Sequence, residues 1–435
     1  RGAYASYVRA DNGRKIPNGL SGLKDVQWKI LWTFLRKKYK NEQKVAQMAG
    51  IIANYTHYHH GEDNISKAII NMAQDFVGAN NLPYLKANGQ FGTRHCGGSD
   101  HAAARYIFTE LQPWVPLLYP ETDFPVLERA KVDGNEIEPK EPIPIIPMVL
   151  VNGVCGLGTG WVSDIPQHDP LALIQLLKNR LHGNTTPVPT PWTKGHGGQY
   201  SRDDGKLRNS GVWSVEGSNK LVITELPVGV WTEKIEAQLK NPKSKLEFGK
   251  IEESHTDKTC TFVIHDVADM DKMIGALKLV KTVRENYVMF RDGHLVQTSV
   301  SEIIDYHYDK RYELYGTRVE YQKNQLKTDI KELEQKMKFI QVCIDGKIPL
   351  TTSTNVELLQ ACMEQNVNEK YLDMNLRDLT KDKVGKLKAS IAKRKKDWDT
   401  LNATPVVDIW LRELNALERC IVPSKKKRDF IDLSD

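Results

Sequence analysis

Two apolar seams in the C-terminal third limit what this chain can fold into. Leu326, Ile330, Leu333, Met337, Ile340 and Ile344 are separated alternately by four and three residues. That is a heptad seam, and it predicts a long helix with one apolar edge. A second seam runs through Val384, Leu387, Ile391, Trp398 and Leu401, with Arg394 at its one polar position. Asp345-Gly346 ends the first helix. Two long helices enclosing a compact piece near 350–375 predict an antiparallel coiled-coil arm with a globular tip. Two surface helices sharing a core would leave the same pattern.

Ahead of the arm, which is expected to be helical from Ser301, the chain mixes helical and strand signals. Residues 1–10 alternate weakly and read as extended, and Asp11-Asn12-Gly13 reads as a turn. Residues 26–39 have helical spacing, with Trp28, Ile30, Leu31, Phe34 and Leu35 apolar. Residues 44–55 and 66–77 read as two further helices and 78–92 as a loop, while 105–114 fits a helix or a strand. Residues 143–151 read as a short or edge strand because Pro144 and Pro147 interrupt them. Asp169-Pro170 is a helix N-cap followed by proline at the first helical position. The helix should reach about residue 181, and 183–211 is a polar stretch rich in Pro and Gly. Strands are expected at 213–215, 221–226, 259–265 and 287–290. Asp266, Asp269 and Asp271 could hold a metal, but acids ahead of a helix over 273–279 read as caps. The fold class is α+β.

Chemistry gathers between Tyr58 and Tyr106. Tyr58-His59-His60-Gly61-Glu62 opens the stretch; Arg94, Gly97-Gly98-Ser99-Asp100 and Arg105-Tyr106 close it. Arginine binds phosphate through a planar fork of donors. Glycine lets a polyanion approach the backbone. Tyrosine can act as a covalent nucleophile when its proton loss is assisted. Of the net charge of +6, residues 1–110 carry a surplus of +7, from 15 Lys and Arg against 8 Asp and Glu. That suits a phosphate-binding surface, although solvated basic patches of this size also occur. His57, His59, His60, Glu62 and Asp63 do not match an HxHxDH metallohydrolase site, because Gly61 and Glu62 stand where the aspartate and histidine are needed. Gly156-Leu157-Gly158 is not a dinucleotide fingerprint, since the third glycine falls at Trp161. No GxxxxGK[ST] loop occurs. A DNA-binding or coiled-coil scaffold without chemistry is the reading that remains if Arg105-Tyr106 is inert.

The six cysteines form no CxxC pair and read as reduced, intracellular thiols. No apolar run approaches the roughly 20 residues that span a membrane. The chain begins Arg1-Gly2-Ala3 without a Met and reads as a piece of something longer.

These motifs resemble the DNA cleavage region of eukaryotic-type DNA topoisomerase II, which carries YHHGE, QFGTR, GGKD and RY in this order. The matches are Tyr58 to Glu62, Gln90 to Arg94, Gly97 to Asp100 and Arg105-Tyr106, with Arg14, Ile16-Pro17, Gly22-Leu23-Lys24, Gln27 and Lys29 upstream. Asn152 to Trp161 is similar to the family's NGxxGIGTGW loop, and Ile223 to Pro227 with Trp231-Thr232 to a tower-domain motif. The resemblance implies a winged-helix domain with the catalytic tyrosine over 1–147, a mixed α/β tower domain over 148–300, and a long antiparallel coiled coil with a helical, dimer-closing C-gate over 301–435. It implies that Tyr106 is the nucleophile forming a 5′-phosphotyrosyl bond, assisted by Arg105 and His60. Arg14, Lys24, Lys29, His59 and Arg94 would be DNA contacts, and Leu157 would wedge between base pairs. A glycine turn with one buried leucine is the other reading of that loop.

Ser21, Trp28, Ser99, Cys155 and Leu157 depart from the family pattern, and Trp28 and Ser99 each remove an expected cationic contact. Cellular and viral origins both stay open, so the location implied is the nucleus, or a virion or viral factory. The family's Mg2+ sits on TOPRIM acidic runs, EGDSA and DxDxD, and its ATP on a separate domain; neither run occurs in this sequence, so no metal ligand is assigned here. Double-stranded DNA and a second copy of the chain are the implied partners, with no membrane. The basic run 424–428 is a nuclear signal or a solvated end.

Overall fold

The computed structural model describes residues 2–132, 134–256, 258–350 and 353–422. The basic run at 424–428 lies outside them. The protein divides into two compact units, one holding residues 1–311 with 411–435 and the other Tyr312–Trp410.

The first unit opens with helix α1 (Gly2–Lys15), where an extended segment was expected. Its C-terminal turn is held by tertiary bonds that local pattern does not reveal. The Asn12 side chain donates to Thr159 O at 3.3 Å and accepts from Thr159 N–H at 2.7 Å, and Asp11 accepts from the Thr159 hydroxyl at 2.8 Å. Helices α2 (Asp25–Lys37), α3 (Val45–Tyr55) and α4 (Glu62–Ala73) follow, and a short ladder pairs β1 (Gln43–Lys44) with β2 (Phe108–Thr109). Helix α4 starts four residues earlier than the apolar spacing suggested. Gly61 takes the N-cap position, and Glu62 and Asp63 suit the positive end of the first turn. The three helices bury Ile30, Leu31 and Phe34, Met48 and Ile52, and Ile65 and Ile69 against one another. Trp28 of α2 is buried too and not at a surface: it is 5% exposed, its ring lies 5.5 Å from that of Tyr119, and its indole N–H donates to Pro139 O at 2.7 Å.

A short helix α5 (Val115–Leu118) leads to the hairpin β3 (Arg129–Val132) and β4 (Asn135–Pro139). The apolar run at 143–151 is not a strand. Ile145, Ile146, Val149 and Leu150 are all fully buried, and the run ends in a single helical turn, α6 (Met148–Val151). Burial on every side erases the alternation by which a strand is recognised. The hairpin β5 (Val154–Gly158) and β6 (Trp161–Ile165) then pairs Leu157 with Val162. Asp169 caps α7 (Pro170–Leu181), accepting the Leu171 N–H at 2.9 Å.

The polar stretch after α7 contains two strands that composition concealed, β7 (Gln199–Asp203) and β8 (Lys206–Ser210). Their turn is Asp204-Gly205, both residues at positive φ, which is the hairpin signal of an Asp-Gly pair. Next come β9 (Val212–Glu216), β10 (Lys220–Glu225), α8 (Thr232–Leu239), β11 (Ile251–Glu253), β12 (Phe262–Ile264), α9 (Met270–Ala276) and β13 (Val280–Thr282). The sheet order β11-β12-β10-β9 is antiparallel throughout, and β13 joins β8 and β7. Leu221, Ile223, Phe262 and Ile264 pack against α8 and α9 through Ile235, Leu239 and Met273, with Leu277 just past α9 in the same cluster. Asp269 is the N-cap of α9, accepting the Lys272 N–H at 2.9 Å. The hairpin β14 (Val288–Arg291) and β15 (His294–Gln297) precedes α10 (Val300–Ile344), which carries the chain into the second unit.

In the second unit α10 runs antiparallel to α12 (Lys381–Ala403): Lys327 lies over Trp398, Arg394 pairs with Asp329 at 2.6 Å, and Ile340 clusters with Val384 and Leu387. Arg394 thus finds a carboxylate at the seam's one polar position. Helix α11 (Asn355–Glu364) lies between them in sequence, started by a capping box of Thr354 and Glu357. Helix α13 (Val406–Ile421) closes the described chain. The protein is α+β. Among the described residues no helix is long and apolar enough to cross a membrane.

Candidate active site

Arg105 and Tyr106 occupy a turn that helix α3 holds from below. The Tyr106 N–H donates to Ala103 O at 2.9 Å, and the loop is fastened on both sides of the pair. Ala46 N–H donates to Ala104 O and Val45 N–H to Ile107 O, each at 3.1 Å. The first N–H groups of a helix lack partners within it; here they grip the carbonyls that flank Arg105-Tyr106. The backbone is therefore fixed while Tyr106 is 70% exposed and Arg105 is exposed. A tyrosine so displayed contributes little to packing. The positive end of α3 lies against the loop, where it favours a nearby anion.

The preceding loop turns on its glycines. Gly97 has φ +63°, and a Cβ there would meet the Trp231 indole at 2.3 Å; Gly98 has φ +83° and lies as close to Gln74. The Gln74 amide donates to Phe91 O at 2.9 Å and Gly98 O at 3.1 Å. Thr93 donates to Asp100 through its N–H at 2.8 Å and its hydroxyl at 2.6 Å. Burial works to raise the Asp100 pKa, and the Thr93 bonds outweigh it, so the carboxyl lies below the usual carboxylate value.

A second group of expected contacts collects around α1, β5 and the loop ahead of α4. His59 and His60 are exposed, with the Tyr58 and His60 rings edge to face at 5.2 Å. Arg14 is partly exposed, 3.4 Å from Asp11, and lies within electrostatic reach of Tyr58. The Lys24 ammonium donates to Cys155 O at 3.4 Å, and burial lowers its pKa. Leu157 is 71% exposed, which removes the reading of a buried leucine. It sits in β5, two residues before the Thr159-Gly160 tip. Among the described residues, no hydrogen bond or ion pair joins Tyr106 or Arg105 to this group. His59 also lines a cleft of about 740 Å³ with Trp32, Arg36, Tyr55, His57 and Arg129.

Two expected contacts are corrected. Lys29 is 8% exposed; its ammonium pairs with the buried Glu138 carboxylate and donates to Thr56 O at 3.3 Å. Arg94 is 3% exposed and pairs with Glu225, with a further bond to Leu226 O at 3.2 Å. Neither cation faces outward, so neither is available to a phosphate. Their partners lie 109 and 131 residues away, beyond any spacing argument.

Among the described residues one group of donors is close enough to suggest a metal: Glu236, Glu253 and His255. The chemistry of His255 argues against it. Its Nδ1 accepts the Thr261 N–H at 3.2 Å, so in the neutral ring Nε2, the atom facing Glu236 at 3.8 Å, keeps the proton. A ligating histidine has the reverse arrangement, donating from its other nitrogen. Neither Tyr106 nor any neighbour of it belongs to this group. This cluster does not fit a Mg2+ site.

Comparison with known proteins identifies the family of this α+β protein. The chain belongs to the family of DNA gyrase/topoisomerase IV A subunits, whose profile matches residues 14–415. It is 34% identical to the mitochondrial DNA topoisomerase 2 of Dictyostelium discoideum over 97% of this chain and 35% of that protein. It is 42% identical to DNA topoisomerase 2 of Drosophila melanogaster over 59% of this chain and 18% of that protein. The solved DNA-binding, cleavage and re-ligation domain of Plasmodium falciparum topoisomerase II superposes with a TM-score of 0.87 at 28% identity, covering 96% of this chain and 63% of that one. The chain thus spans about a third of the Dictyostelium relative.

Proposed function

We propose that this chain is the DNA cleavage and re-ligation part of a type II topoisomerase that cuts a duplex, passes a second one through the break and reseals it. The observation that carries this is Tyr106, 70% exposed beside an exposed Arg105 on a turn bonded to the start of α3. The Tyr106 Oη attacks the phosphorus of a DNA phosphodiester. A Tyr–O–P bond forms at the 5′ end, the P–O3′ bond breaks, and the 3′ oxygen leaves as a hydroxyl with the proton that Tyr106 gives up. The exchange replaces one phosphodiester by another, so the 3′ hydroxyl can reverse it without outside energy. Arg105 stabilises charge on the phosphate oxygens, and His60 donates to the same phosphate. Arg14, Lys24 and His59 hold neighbouring phosphates, and Leu157 enters a base step and bends the duplex.

In this reading residues 1–147 form the winged-helix DNA-binding domain, 148–300 the tower, and 301–435 the coiled coil and C-gate. One nucleophile per chain and two strands per duplex call for a homodimer, and the exposed apolar residues of α11 suit its contact. Mg2+ and ATP would act through parts of the protein other than these residues. A nuclear location is proposed; the named relatives include mitochondrial ones.

Tyr106→Phe in the full-length enzyme should abolish the covalent adduct on labelled DNA while leaving duplex affinity within about threefold, since phosphate contacts supply most of the binding. An undiminished adduct in that variant overturns the assignment.

A further inference from the structure

Arg94 is a charged side chain buried to 3% exposure ahead of Tyr106, which raises the question of what it does there. Its guanidinium meets the Glu225 carboxylate at the end of β10 and donates to Leu226 O at 3.2 Å. Glu225 is held in turn: its second oxygen accepts the Gly197 N–H at 3.2 Å, and its first accepts the Leu226 N–H at 2.9 Å. A buried ion pair is a poor device for stability alone, because apolar residues of the same volume often do as well. What it does supply is direction, since a planar guanidinium and a carboxylate meet in few geometries.

The joint continues along the loop. His95 O accepts the Glu233 N–H at 3.2 Å in the first turn of α8, and the His95 ring bonds the Thr232 hydroxyl at 2.6 Å. Gly97 lies so close to Trp231 that any side chain would collide. Three residues of the stretch 94–97, namely Arg94, His95 and Gly97, thus meet the segment 225–233. From the same loop, the Ala102 N–H reaches back to Gln90 O at 2.9 Å, a few residues ahead of Tyr106.

We propose that Arg94 and Glu225 are positioning residues: their buried pair ties the loop leading to Tyr106 to the end of β10, so that the sheet β11-β12-β10-β9 sets where the nucleophile stands. The helix α3 fixes the height of the turn; the pair fixes its lead-in. This rests on the reading of Tyr106 as the nucleophile. A displacement of about 1 Å at a reacting group can cost about 100-fold in rate, so a loosened lead-in reaches the chemistry without touching substrate.

The test uses the full-length protein with Glu225→Gln and Arg94→Lys, and Glu225→Asp as the conservative variant. Adduct formation is timed at saturating duplex DNA, beside DNA affinity, cooperative melting, and hydrogen exchange of the Tyr106, Val45 and Ala46 amides. In the folded Glu225→Gln protein we expect adduct formation to fall by about ten- to 100-fold, affinity to stay within about threefold, and exchange of those amides to rise about tenfold. Glu225→Asp should recover part of both losses. If Glu225→Gln does not melt cooperatively, Arg94→Lys and Glu225→Asp carry the same comparison. Unchanged exchange and an unchanged adduct rate in a folded variant overturn the proposal, as does a loss that saturating DNA restores. Raised exchange in a protein whose wild type forms no adduct upholds the tie and overturns the reading of Tyr106.

Discussion

Among single residues, exposure separates side chains that look alike in sequence. Lys24 and Lys29 stand five apart in one basic segment, yet only Lys24 borders the β5 surface, while Lys29 is sealed against Glu138. Removing one partner of a buried pair leaves the other charge without compensation. Lys29→Ala should therefore lower unfolding free energy by about 3–5 kcal/mol, with the duplex affinity of the folded fraction unchanged. Urea denaturation beside DNA titration checks this; a wild-type denaturation midpoint would contradict the burial argument. Leu157 invites the opposite expectation. A buried leucine loses about 2–5 kcal/mol on truncation, but Leu157 is 71% exposed. Leu157→Ala should change stability by no more than about 0.5 kcal/mol and reduce DNA bending, read by fluorescence transfer between labelled duplex ends. A sharp drop in melting temperature with bending unaltered would assign Leu157 to packing.

Among elements, α11 has two apolar sides. Leu358 and Cys362 face the core of the second unit, while Val356, Leu359 and Met363 are 74%, 38% and 76% exposed. Steps of three and four residues put these last three on one stripe, and a solvated helix of ten residues has no need of it. If the stripe is the contact between two copies of the chain, Val356→Asp with Met363→Asp should give a monomer by light scattering and retain the helix content of the parent. A dimer that survives both charges places the contact elsewhere. The β7–β8 hairpin shows how an element can hide: its residues are polar because most of its side chains face solvent, and only the Asp204-Gly205 turn betrays it.

For the whole molecule, acid and salt act on different parts. His307 is fully buried on α10, with Nε2 at 2.8 Å from Pro144 O. Burial lowers its pKa from 6.5 to about 3; the Pro144 bond opposes this and the nearby Arg311 charge adds to it. Because the folded value is the lower one, the unfolded chain takes up the proton first. The stability tied to neutral His307 is thus fully present above about pH 6.5 and is lost as pH falls toward about 3, with a slope near 1.4 kcal/mol per pH unit between. Denaturant titrations from pH 7 to 4 should show this slope, and His307→Gln should flatten it. Salt should weaken duplex binding by the basic N-terminal region, with log K falling by about 0.9 per phosphate contact for each decade of salt. Affinity that does not change between low and moderate salt would rule out binding through phosphates.

The order of motifs from Tyr58 to Arg105-Tyr106 and the heptad steps from Leu326 to Ile344 were legible in the sequence because each depends on neighbours within a few turns of chain. Caps such as Asp169-Pro170 and Asp269 were legible for the same reason. What lay beyond it needed partners far along the chain. Helix α1 runs through an Asp-Asn-Gly turn signal because Asn12 and Asp11 bond Thr159. Residues 143–151 read as a strand because apolar runs look the same in a strand and in a segment buried on every side. The roles of Lys29 and Arg94 were decided by Glu138 and Glu225, since only the folded chain determines whether a cation keeps its water or meets a carboxylate away from it.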